Sequence, residues 1–256
     1  MPRLDVFLVE NNYFQSREKA SQAIKKGIIS VNGKIVDKPS FQTEEGMVIE
    51  VTEVMLPYVS WGGMKLERAI NYFNVDFKDK IVLDIGASTG GFTDCALQHG
   101  AKEVYAVDVG SDQLDIKLRS DFRVHSFENT NICDFNEDVK FDYLVMDVSF
   151  VSITKIIPSL LKFMDDNNSF VCLFKPQFEV GKVKIKNGVI KDPKLHKEIV
   201  LRLINFVKEM GLYVNDLTYS TQKGKTGNIE YLALISKNPN CKKYNVDSII
   251  KESHMM

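Results

Sequence analysis

The spacing of apolar residues predicts two segments of different architecture along this chain. Up to about residue 50, the apolar positions follow the period of two short helices and then the pattern of a β-hairpin. From residue 80 onward, short apolar runs rich in β-branched residues alternate with stretches of helical period. Because strands and helices alternate throughout the second segment, we expect an open α/β domain with right-handed crossovers there, preceded by a small α+β domain.

Two helices and a hairpin are predicted for the first segment. Apolar residues at 4–8 share one helical face, Ser16 is a suitable N-cap for a second helix, and Gly27 is suited to end that helix. Asn32-Gly33 stands between two apolar runs and predicts a type I′ turn. The predicted strands of this hairpin are 28–31 and 34–36.

Seven apolar runs of the second segment are predicted as strands, and the stretches between them as helices or loops. The predicted strands are 81–83, 104–107, 124–127, 143–146, 170–174, 213–219 and 230–236. Residues 58–66 are predicted to lead into a helix that ends before residue 80, and the other predicted helices are 93–97, 113–119, 153–164 and 194–210. We place the domains at 1–56 and 65–240, joined by a linker at 57–64 and followed by a tail at 241–256, of which the last residues, 253–256, are expected to be unstructured.

Composition limits the classes of protein that the chain can represent. With 256 residues and a net charge of −1, the chain is long enough for one large and one small domain, and any binding of nucleic acid must come from local charge. The four cysteines form no C-x-x-C pair, which argues against a structural zinc site or a disulfide scaffold. We recognise no signal peptide and no apolar run long enough to span a bilayer. We therefore expect a soluble cytoplasmic protein without a metal.

Local positive charge is concentrated between residues 13 and 38. This stretch contains six basic residues and two acidic ones, a local net charge of +4. The basic residues are Arg17, Lys19, Lys25, Lys26, Lys34 and Lys38. Charge alone does not separate a solvated helix face from a surface that binds nucleic acid.

A glycine-rich turn follows the first predicted strand of the second segment. The sequence Gly86-Ala-Ser88-Thr-Gly90-Gly91 would connect a strand to a helix N-terminus, where a nucleotide-like ligand can approach the backbone. A dinucleotide fingerprint would have glycine in place of Ser88, so NAD is disfavoured. The same residues fit the G-x-S-x-G nucleophile elbow of α/β-hydrolases. A turn that only connects strand and helix is a third interpretation.

Two acidic residues near this turn favour a nucleoside ligand that carries positive charge. Asp108 ends the next predicted strand, about 20 residues after the turn, and an acid there suits the two hydroxyls of a ribose. A hydrolase has no use for such a residue. Asp84 precedes the turn and adds a second negative charge. S-adenosylmethionine, a nucleoside with a sulfonium and an ammonium group, fits this pair better than a phosphate does.

Charged residues end four of the predicted strands. Asp84, Asp108, Asp147 and Lys175 each stand at a carboxyl end, where ligands bind in open α/β sheets. We therefore expect all four at one edge of the sheet. A structural ion pair between Asp147 and Lys175 is the alternative explanation for those two residues.

The first segment resembles the small RNA-binding module of the ribosomal S-four type, from about residue 3 to residue 50. The matching positions are Arg3-Leu-Asp5, Ser16-Arg17-x-x-Ala20, Ile24, Gly27, Val31-Asn32-Gly33 and Lys38-Pro39-Ser40. In that family the second helix lies on structured RNA. The resemblance implies phosphate contacts, which position rather than specify sequence, from this helix and its neighbours. The residues expected to contact RNA are Arg3, Arg17, Lys19, Lys25 and Lys26, together with Lys182 in a basic loop at 182–187.

The whole chain resembles the TlyA family of ribosomal RNA 2′-O-methyltransferases, often labelled hemolysins, whose catalytic domain is similar to FtsJ methyltransferases. The matching segments are Tyr58-Val-Ser-x-Gly-x-x-Lys65, Asp84 to Phe92, Asp147-Val-Ser-Phe150, Lys175-Pro-Gln-Phe-Glu-Val-Gly181 and Gly227-Asn-x-Glu230-Tyr. The resemblance implies a Rossmann-like S-adenosylmethionine-dependent methyltransferase domain and ribosomal RNA or ribosomal subunits as partners. It also implies a cytidine ribose as acceptor and a catalytic group of Lys65, Asp147, Lys175 and Glu230.

The resemblance assigns a role to each of these residues. A neutral Lys175 amine would accept the proton of the ribose hydroxyl, and Lys65 and the sulfonium of the donor would favour that neutral form. Asp147 would aim the amine, and Glu230 would orient Lys65 or hold the hydroxyl. Residues expected to contact the donor are Asp84, Gly86, Ser88, Gly90, Gly91, Phe92 and Asp108, with Asn131 or Asp134 at the adenine.

One departure from the family pattern and two alternative functions remain open at the level of sequence. Trp61 stands where the family usually has arginine, and it could replace that contact by stacking on a base or on the donor. The chain could instead be an RNA-binding ribosome-assembly factor without turnover, or a hemolysin acting on membranes. The sequence does not identify the nucleotide, the ribosomal subunit or the oligomeric state.

Overall fold

The computed structural model describes residues 2–14, 16–44, 46–51, 57–181, 188–224, 226–239 and 243–256. The chain divides into two compact units, Met1–Leu56 and Pro57–Met256. The predicted basic loop at 182–187, with Lys182, lies outside the described residues, as does Cys241.

The first unit packs two helices against a small antiparallel sheet with strand order β2-β1-β3. Its elements are α1 (Leu4–Glu10), α2 (Arg17–Lys25), β1 (Ile29–Val31), β2 (Lys34–Ile35) and β3 (Ile49–Val51). The predicted N-cap is confirmed, since the Ser16 hydroxyl accepts a hydrogen bond from the backbone N–H of Lys19 at 3.3 Å. The predicted turn is confirmed as well, because Asn32 and Gly33 both have the positive φ that type I′ requires. β3 was not predicted.

The second unit is a seven-stranded sheet with helices on both faces, in the residues that the structure describes. Its strands are β4 (Ile81–Ile85), β5 (Glu103–Val107), β6 (Val124–Phe127), β7 (Tyr143–Met146), β8 (Ser169–Phe174), β9 (Tyr213–Tyr219) and β10 (Tyr231–Ser236). Its helices are α3 (Trp61–Phe73), α4 (Gly91–Gln98), α5 (Ile116–Arg119), α6 (Ile157–Leu160), α7 (Pro176–Glu179), α8 (Pro193–Glu209) and α9 (Val246–Ser253).

The strand order β6-β5-β4-β7-β8-β10-β9 determines where a ligand can bind. The first five of these strands are parallel, and β10 runs antiparallel to both β8 and β9. The chain passes from β4 outward to β5 and β6 and then returns to the other side of β4 as β7. This reversal opens a crevice at the carboxyl ends of β4 and β7, where open α/β sheets bind ligands. The predicted α/β architecture is confirmed.

Two apolar clusters cover the two faces of this sheet. Neighbouring residues on a strand belong to different clusters, as Val82 and Leu83 show on β4. Side chains of α3, α4 and α5 build one cluster, whereas α6, α8 and α9 build the other. Because both faces are covered, the inner parallel strands β4, β7 and β8 are apolar along nearly their whole length, which explains why they were found from the sequence.

The structure corrects the prediction at both ends of this unit. Residues 57–64 were predicted to be a linker, yet Trp61 to Met64 form the first turn of α3, and a Cβ on Gly63 would lie 2.4 Å from the ring of buried Tyr58. Residues 241–256 were predicted to be a tail outside the domain, with no helix or strand assigned to 246–253. These residues form α9, capped by Asn245 and packed into the larger cluster through Ile249 and Ile250.

A proline interrupts the helix predicted over 153–164. The structure has two 3₁₀ turns there, Ile153–Lys155 and Leu161–Phe163, with α6 between them. Pro158 lies in the first turn of α6, where its missing N–H is tolerated, but the same residue prevents one continuous helix through this segment.

The packing of α9 predicts the cost of truncating one of its side chains. Ile250 is 4% exposed, so Ile250→Ala should lower the free energy of unfolding by about 2–5 kcal/mol. Ile116 is 80% exposed, so Ile116→Ala should change the free energy of unfolding by less than about 0.5 kcal/mol. Urea unfolding followed by circular dichroism measures both. Equal midpoints for the two variants would contradict the packing of α9.

Candidate active site

The carboxyl edge of the parallel strands collects the four charged residues predicted to meet there. Asp84 is the penultimate residue of β4, whereas Asp108, Asp147 and Lys175 directly follow β5, β7 and β8. The strands are paired in register, so their ends lie side by side. The negative charges of Asp147 and Asp108 also act on the titration of Asp84. The predicted convergence of charge at one edge is therefore present in the structure.

Asp84 is a fully buried carboxyl group with one oxygen satisfied. The Thr93 hydroxyl donates to Oδ2 at 2.6 Å, whereas Oδ1 has no hydrogen-bond partner among the described residues. Burial raises the pKa of Asp84 to about 7, with Asp147 adding to the rise and the Thr93 hydrogen bond opposing it. A cation placed beside Oδ1 would stabilise the ionised form and satisfy the unpaired oxygen.

The glycines of the turn after β4 are required by close packing within the protein. Gly86 has a φ of 80°, and a Cβ on it would lie 2.9 Å from the backbone oxygen of Asp147. A Cβ on Gly90 would collide with Leu118 at 2.2 Å, and one on Gly91 with the Ser60 hydroxyl at 2.2 Å. From the sequence, Gly90 and Gly91 were expected to let the backbone turn and to leave room for a ligand, and the φ of 92° at Gly90 agrees with the first reason. The structure gives a different reason, the contacts of this turn with α5 and with the start of α3.

Asp108 holds the backbone of two neighbouring loops, the one after β4 and the one after β5. Its Oδ2 accepts a hydrogen bond from the backbone N–H of Ser88 at 2.8 Å, and its Oδ1 accepts one from Gly110 at 2.7 Å. Ser88 has a φ of 49°, a conformation that is uncommon for a residue other than glycine and that this hydrogen bond stabilises. Each carboxylate oxygen can accept a further hydrogen bond, so a ribose contact at Asp108 stays a prediction.

The remaining residues that were predicted to contact S-adenosylmethionine lie in different surroundings. Phe92 is buried in the smaller apolar cluster, so its side chain contributes to the core. Asn131 and Asp134 lie in an exposed turn after β6, where Oδ1 of Asn131 accepts a hydrogen bond from the N–H of Cys133. Trp61, in the first turn of α3, is about one-third exposed. Contacts of Asn131, Asp134 and Trp61 with a donor or a base stay predictions.

The four residues of the predicted catalytic group form two lysine–carboxylate pairs. Nζ of Lys65 lies 2.5 Å from Oε2 of Glu230, and both side chains are buried. Nζ of Lys175 pairs with Oδ1 of Asp147 and donates to the Ser149 hydroxyl at 2.8 Å. Of the two roles considered for Glu230, orienting Lys65 corresponds to the contact observed.

Strand register brings the two pairs together. Tyr231 of β10 is paired with Phe174 of β8, so Glu230 and Lys175, the next residues outward, emerge side by side. Gln177, two residues after Lys175, donates from Nε2 to Oε1 of Glu230 at 3.2 Å. The two ion pairs are thus neighbours on one edge of the sheet.

Sequence reasoning missed three side chains of this site. Ser149 and Gln177 lie inside the segments that carried the family resemblance, but only the charged residues of those segments were assigned roles. Phe150 is 92% exposed and has a φ of 65°, and its ring centroid lies 5.3 Å from that of Phe178. The Phe178 ring in turn lies 5.9 Å from Nζ of Lys175. The signal available in the sequence was an aromatic residue at the end of the Asp147-Val-Ser-Phe150 segment.

The basic residues of the first unit fall into two groups. Arg3 and Arg17 both bind the buried carboxylate of Asp5, Arg3 at 3.0 Å and Arg17 at 2.9 Å. Burial would raise the pKa of Asp5, but the hydrogen bonds from these arginines outweigh it and leave the pKa below its ordinary value. Lys19, Lys25 and Lys26 are exposed on or next to α2. The arginines therefore have a structural function in addition to any contact with RNA.

Among the described residues, no group of three or more histidine, cysteine, aspartate and glutamate side chains is arranged to hold a metal ion. Within the same residues, no helix combines the length and the apolar content needed to cross a bilayer.

Each of the two units matches a known protein family. Residues 58–237 match the family described as FtsJ-like methyltransferase, and residues 2–49 match the S4 domain. YqxC of Bacillus subtilis, which carries the name of an rRNA methyltransferase, is 44% identical over 236 residues, covering 90% of this chain and 84% of YqxC.

Two further matches extend over most of the chain. The 16S/23S rRNA (cytidine-2′-O)-methyltransferase TlyA of Mycobacterium tuberculosis is 35% identical over 234 residues, covering 90% of this chain and 87% of that protein. A solved structure from Streptococcus thermophilus, which bears a hemolysin name, superposes with a TM-score of 0.79 at 38% identity, covering 99% of this chain and 96% of that one. The chain belongs to the TlyA family of FtsJ-like methyltransferases, with an S4 domain at residues 2–49.

Proposed function

We propose that this protein transfers a methyl group from S-adenosylmethionine to a ribose 2′-hydroxyl of ribosomal RNA, with a cytidine as the expected nucleotide. The observation that carries the proposal is the pair of lysine–carboxylate contacts beside Asp84 at the carboxyl edge of the sheet. The names of the relatives from B. subtilis and M. tuberculosis support the substrate class.

The charge of the crevice supports a cationic donor. Three aspartates meet at this edge, and one of them, Asp84, is kept partly protonated by burial and by its neighbours. When bound, S-adenosylmethionine supplies an electrophilic methyl group on a positively charged sulfur. Asp84 would hold the methionine end through its unpaired Oδ1, and Asp108 would hold the ribose.

Lys175 is the residue best placed to act as general base. In its neutral form its amine accepts the proton of the ribose hydroxyl as the oxygen attacks, a role that contributes on the order of 10²–10⁴ in rate. Asp147 and Ser149 fix the direction of the amine through the two contacts described above. Lys65, held by Glu230 directly before β10, adds a second positive charge at this edge of the sheet.

The exposed Phe150 supports a substrate that carries an aromatic base. A large apolar ring left in solvent and a left-handed backbone both carry an energetic cost, and such costs concentrate at binding sites. Aromatic side chains recognise unpaired bases in RNA by stacking. Phe150 stands three residues after Asp147, so a base stacked on it would carry its own ribose toward the lysines.

The S4 domain supports docking on structured RNA. Lys19, Lys25 and Lys26 present positive charge on and beside α2, and contacts of this kind go to phosphates without reading sequence. Arg17 contributes to the fold through Asp5, so its replacement would disturb the domain as well as any RNA contact.

Replacing Lys175 tests the assignment of the base. Lys175→Met should abolish methyl transfer to ribosomal subunits in a tritiated-methyl assay, while calorimetry shows S-adenosylmethionine binding as in the wild type. Lys80→Met is the matched control, because Lys80 also pairs with an aspartate, Asp142, at the opposite edge of the sheet. Turnover by the Lys175 variant would rule out this role. Wild-type protein that binds donor and RNA without turnover would instead favour a ribosome-assembly factor.

The titration of Asp84 predicts how donor affinity depends on pH. Its pKa of about 7 lies above the ordinary value, and a bound cation favours the ionised form. Affinity for S-adenosylmethionine should therefore rise several-fold between pH 6 and pH 7.5. Asp84→Asn should weaken binding and remove this dependence, whereas Asp138→Asn, at an exposed carboxyl, should change neither. Calorimetry at several pH values measures both effects.

The same substitution has a predictable effect on the unliganded protein. Because the native pKa of Asp84 is raised, its charge destabilises the fold as pH rises from about 4 through 7. Asp84→Asn removes that cost and keeps an acceptor for Thr93. At pH 8 the variant should thus resist urea at least as well as the wild type. Lower stability together with weak donor binding would show that Asp84 acts through the fold alone.

Docking through α2 should depend on salt. The double variant Lys25→Gln, Lys26→Gln should lower the slope of log affinity against log salt, for binding to ribosomal subunits, by roughly 1.5. Lys34→Gln, Lys38→Gln removes the same charge from the hairpin and should leave the slope nearly unchanged. A filter-binding series between low and physiological salt gives the slopes. Equal slopes for the wild type and the α2 variant would contradict docking through this helix.

A further inference from the structure

We propose that Gln177 is a positioning residue for this methyl transfer: its amide holds the carboxylate of Glu230 so that Glu230 keeps Lys65 in place beside Lys175. The inference rests on the proposed function, because it assigns Gln177 to the same site. The predicted catalytic group consists of four charged residues and assigns no role to Gln177.

The chemistry of the two groups fixes their orientation. A carboxylate accepts hydrogen bonds and does not donate them, so the amide of Gln177 must face Glu230 with its nitrogen. Nε2 of Gln177 lies 3.2 Å from Oε1 of Glu230, and Nζ of Lys65 lies 2.5 Å from Oε2. The carboxylate is therefore held at both oxygens, and its plane is fixed. With Lys65 alone, the carboxylate could turn about its last bond and carry the lysine with it.

The oxygen of the Gln177 amide shows that placing this side chain beside Glu230 costs free energy. Oε1 of Gln177 is buried and has no hydrogen-bond partner among the described residues. Unpaired buried acceptors are few in native proteins, and each one calls for an explanation. The contact of Nε2 with Glu230 is the interaction that the structure shows for this side chain, and it accounts for the placement of the amide.

The location of Gln177 on α7 couples the two ion pairs. α7 begins directly after Lys175 with Pro176, and Glu179 ends it. Glu179 accepts hydrogen bonds from the Ser152 hydroxyl at 2.6 Å and the backbone N–H of Ile153 at 2.9 Å, in the loop that also carries Asp147. One short helix thus starts at the proposed base, holds the partner of Lys65 and braces the loop that orients the base.

Gly224 provides an independent way to displace the same carboxylate. A Cβ on Gly224 would lie 2.5 Å from Oε1 of Glu230 and 3.1 Å from its Cδ. The backbone of Gly224 is outside the left-handed region, so alanine is sterically compatible with its conformation. Gly224→Ala therefore pushes the end of the Glu230 side chain aside without removing any polar group.

The test compares Gln177→Glu, Gln177→Met and Gly224→Ala with the wild type. For methylation of ribosomal subunits, kcat should fall roughly tenfold to a hundredfold in all three, while the dissociation constant of S-adenosylmethionine stays unchanged. Gln177→Glu places two carboxylates side by side, so its deficit should shrink as pH falls, because a protonated carboxyl regains a donor O–H. The deficits of Gln177→Met and Gly224→Ala should not depend on pH in this way.

Gln98→Glu is the matched control for the charge change. Nε2 of Gln98 donates to Oδ1 of Asp94 at 3.0 Å on α4, so the substitution also places a carboxylate beside an aspartate. It should leave the pH profile of kcat unchanged. Wild-type kcat in Gln177→Met, or a deficit of Gln177→Glu that is the same at every pH, would overturn the inference.

A readout without turnover separates this inference from the proposed function. In protein labelled with ¹³C at the lysine ε-carbons, the Lys65 signal, assigned by its loss in Lys65→Arg, should shift in Gln177→Met and in Gly224→Ala but not in Gln98→Glu. An unshifted signal with normal wild-type turnover would refute the role of Gln177 alone. Shifted signals in a protein that transfers no methyl group would refute the proposed function and leave the coupling of Gln177 to Lys65 in place.

Discussion

Parallel pairing in register between β4, β5, β7 and β8 is the constraint on which this site depends. It places the residue at the end of each strand on the same edge, so the charges of Asp84, Asp108 and Asp147 must share one crevice. Gathering like charges in a poorly solvated place is unfavourable. The protein offsets this cost in three ways: Asp147 is paired with a lysine, Asp108 accepts two backbone hydrogen bonds, and Asp84 has a raised pKa.

The three solutions have different consequences for chemistry. Asp147 is neutralised by its ion pair with Lys175, and Asp108 accepts backbone hydrogen bonds, before any ligand arrives. Asp84 is different, because one of its oxygens is buried without a partner among the described residues and its ionisation waits for a positive charge. A cationic nucleoside donor would complete this part of the fold. The two lysines beside it are each held by a carboxylate, so the site is organised before a substrate binds.

Much of this arrangement could be predicted from the sequence, for identifiable reasons. The run 143–146 coincides with β7 and the run 170–174 lies within β8, because strands buried on both faces are apolar throughout and are bounded by polar residues. The ends of the predicted strands then identified Asp84, Asp108, Asp147 and Lys175 as candidate site residues, without reference to any family. α9 was missed because a short helix owes its stability to tertiary packing, here of Ile249 and Ile250, rather than to local propensity.

Contacts between distant residues could not be predicted from spacing. Lys65 and Glu230 are 165 residues apart, and only the family resemblance placed them in one group. Neutral side chains such as Ser149 and Gln177 carry no charge to mark them, and their roles depend on which group they face. The glycines of the turn show the same limit, since Gly90 and Gly91 are needed for contacts with α5 and α3 that the sequence does not reveal.

The central claim is that this edge of the sheet activates a sugar hydroxyl of ribosomal RNA. Mapping ribose methylation along ribosomal RNA from cells with and without this protein tests that claim most directly. The account predicts at least one 2′-O-methyl group, on a cytidine, that is present only in cells containing the protein. Identical ribose-methylation maps, or a protein-dependent methyl group on a base instead of a ribose, would contradict it.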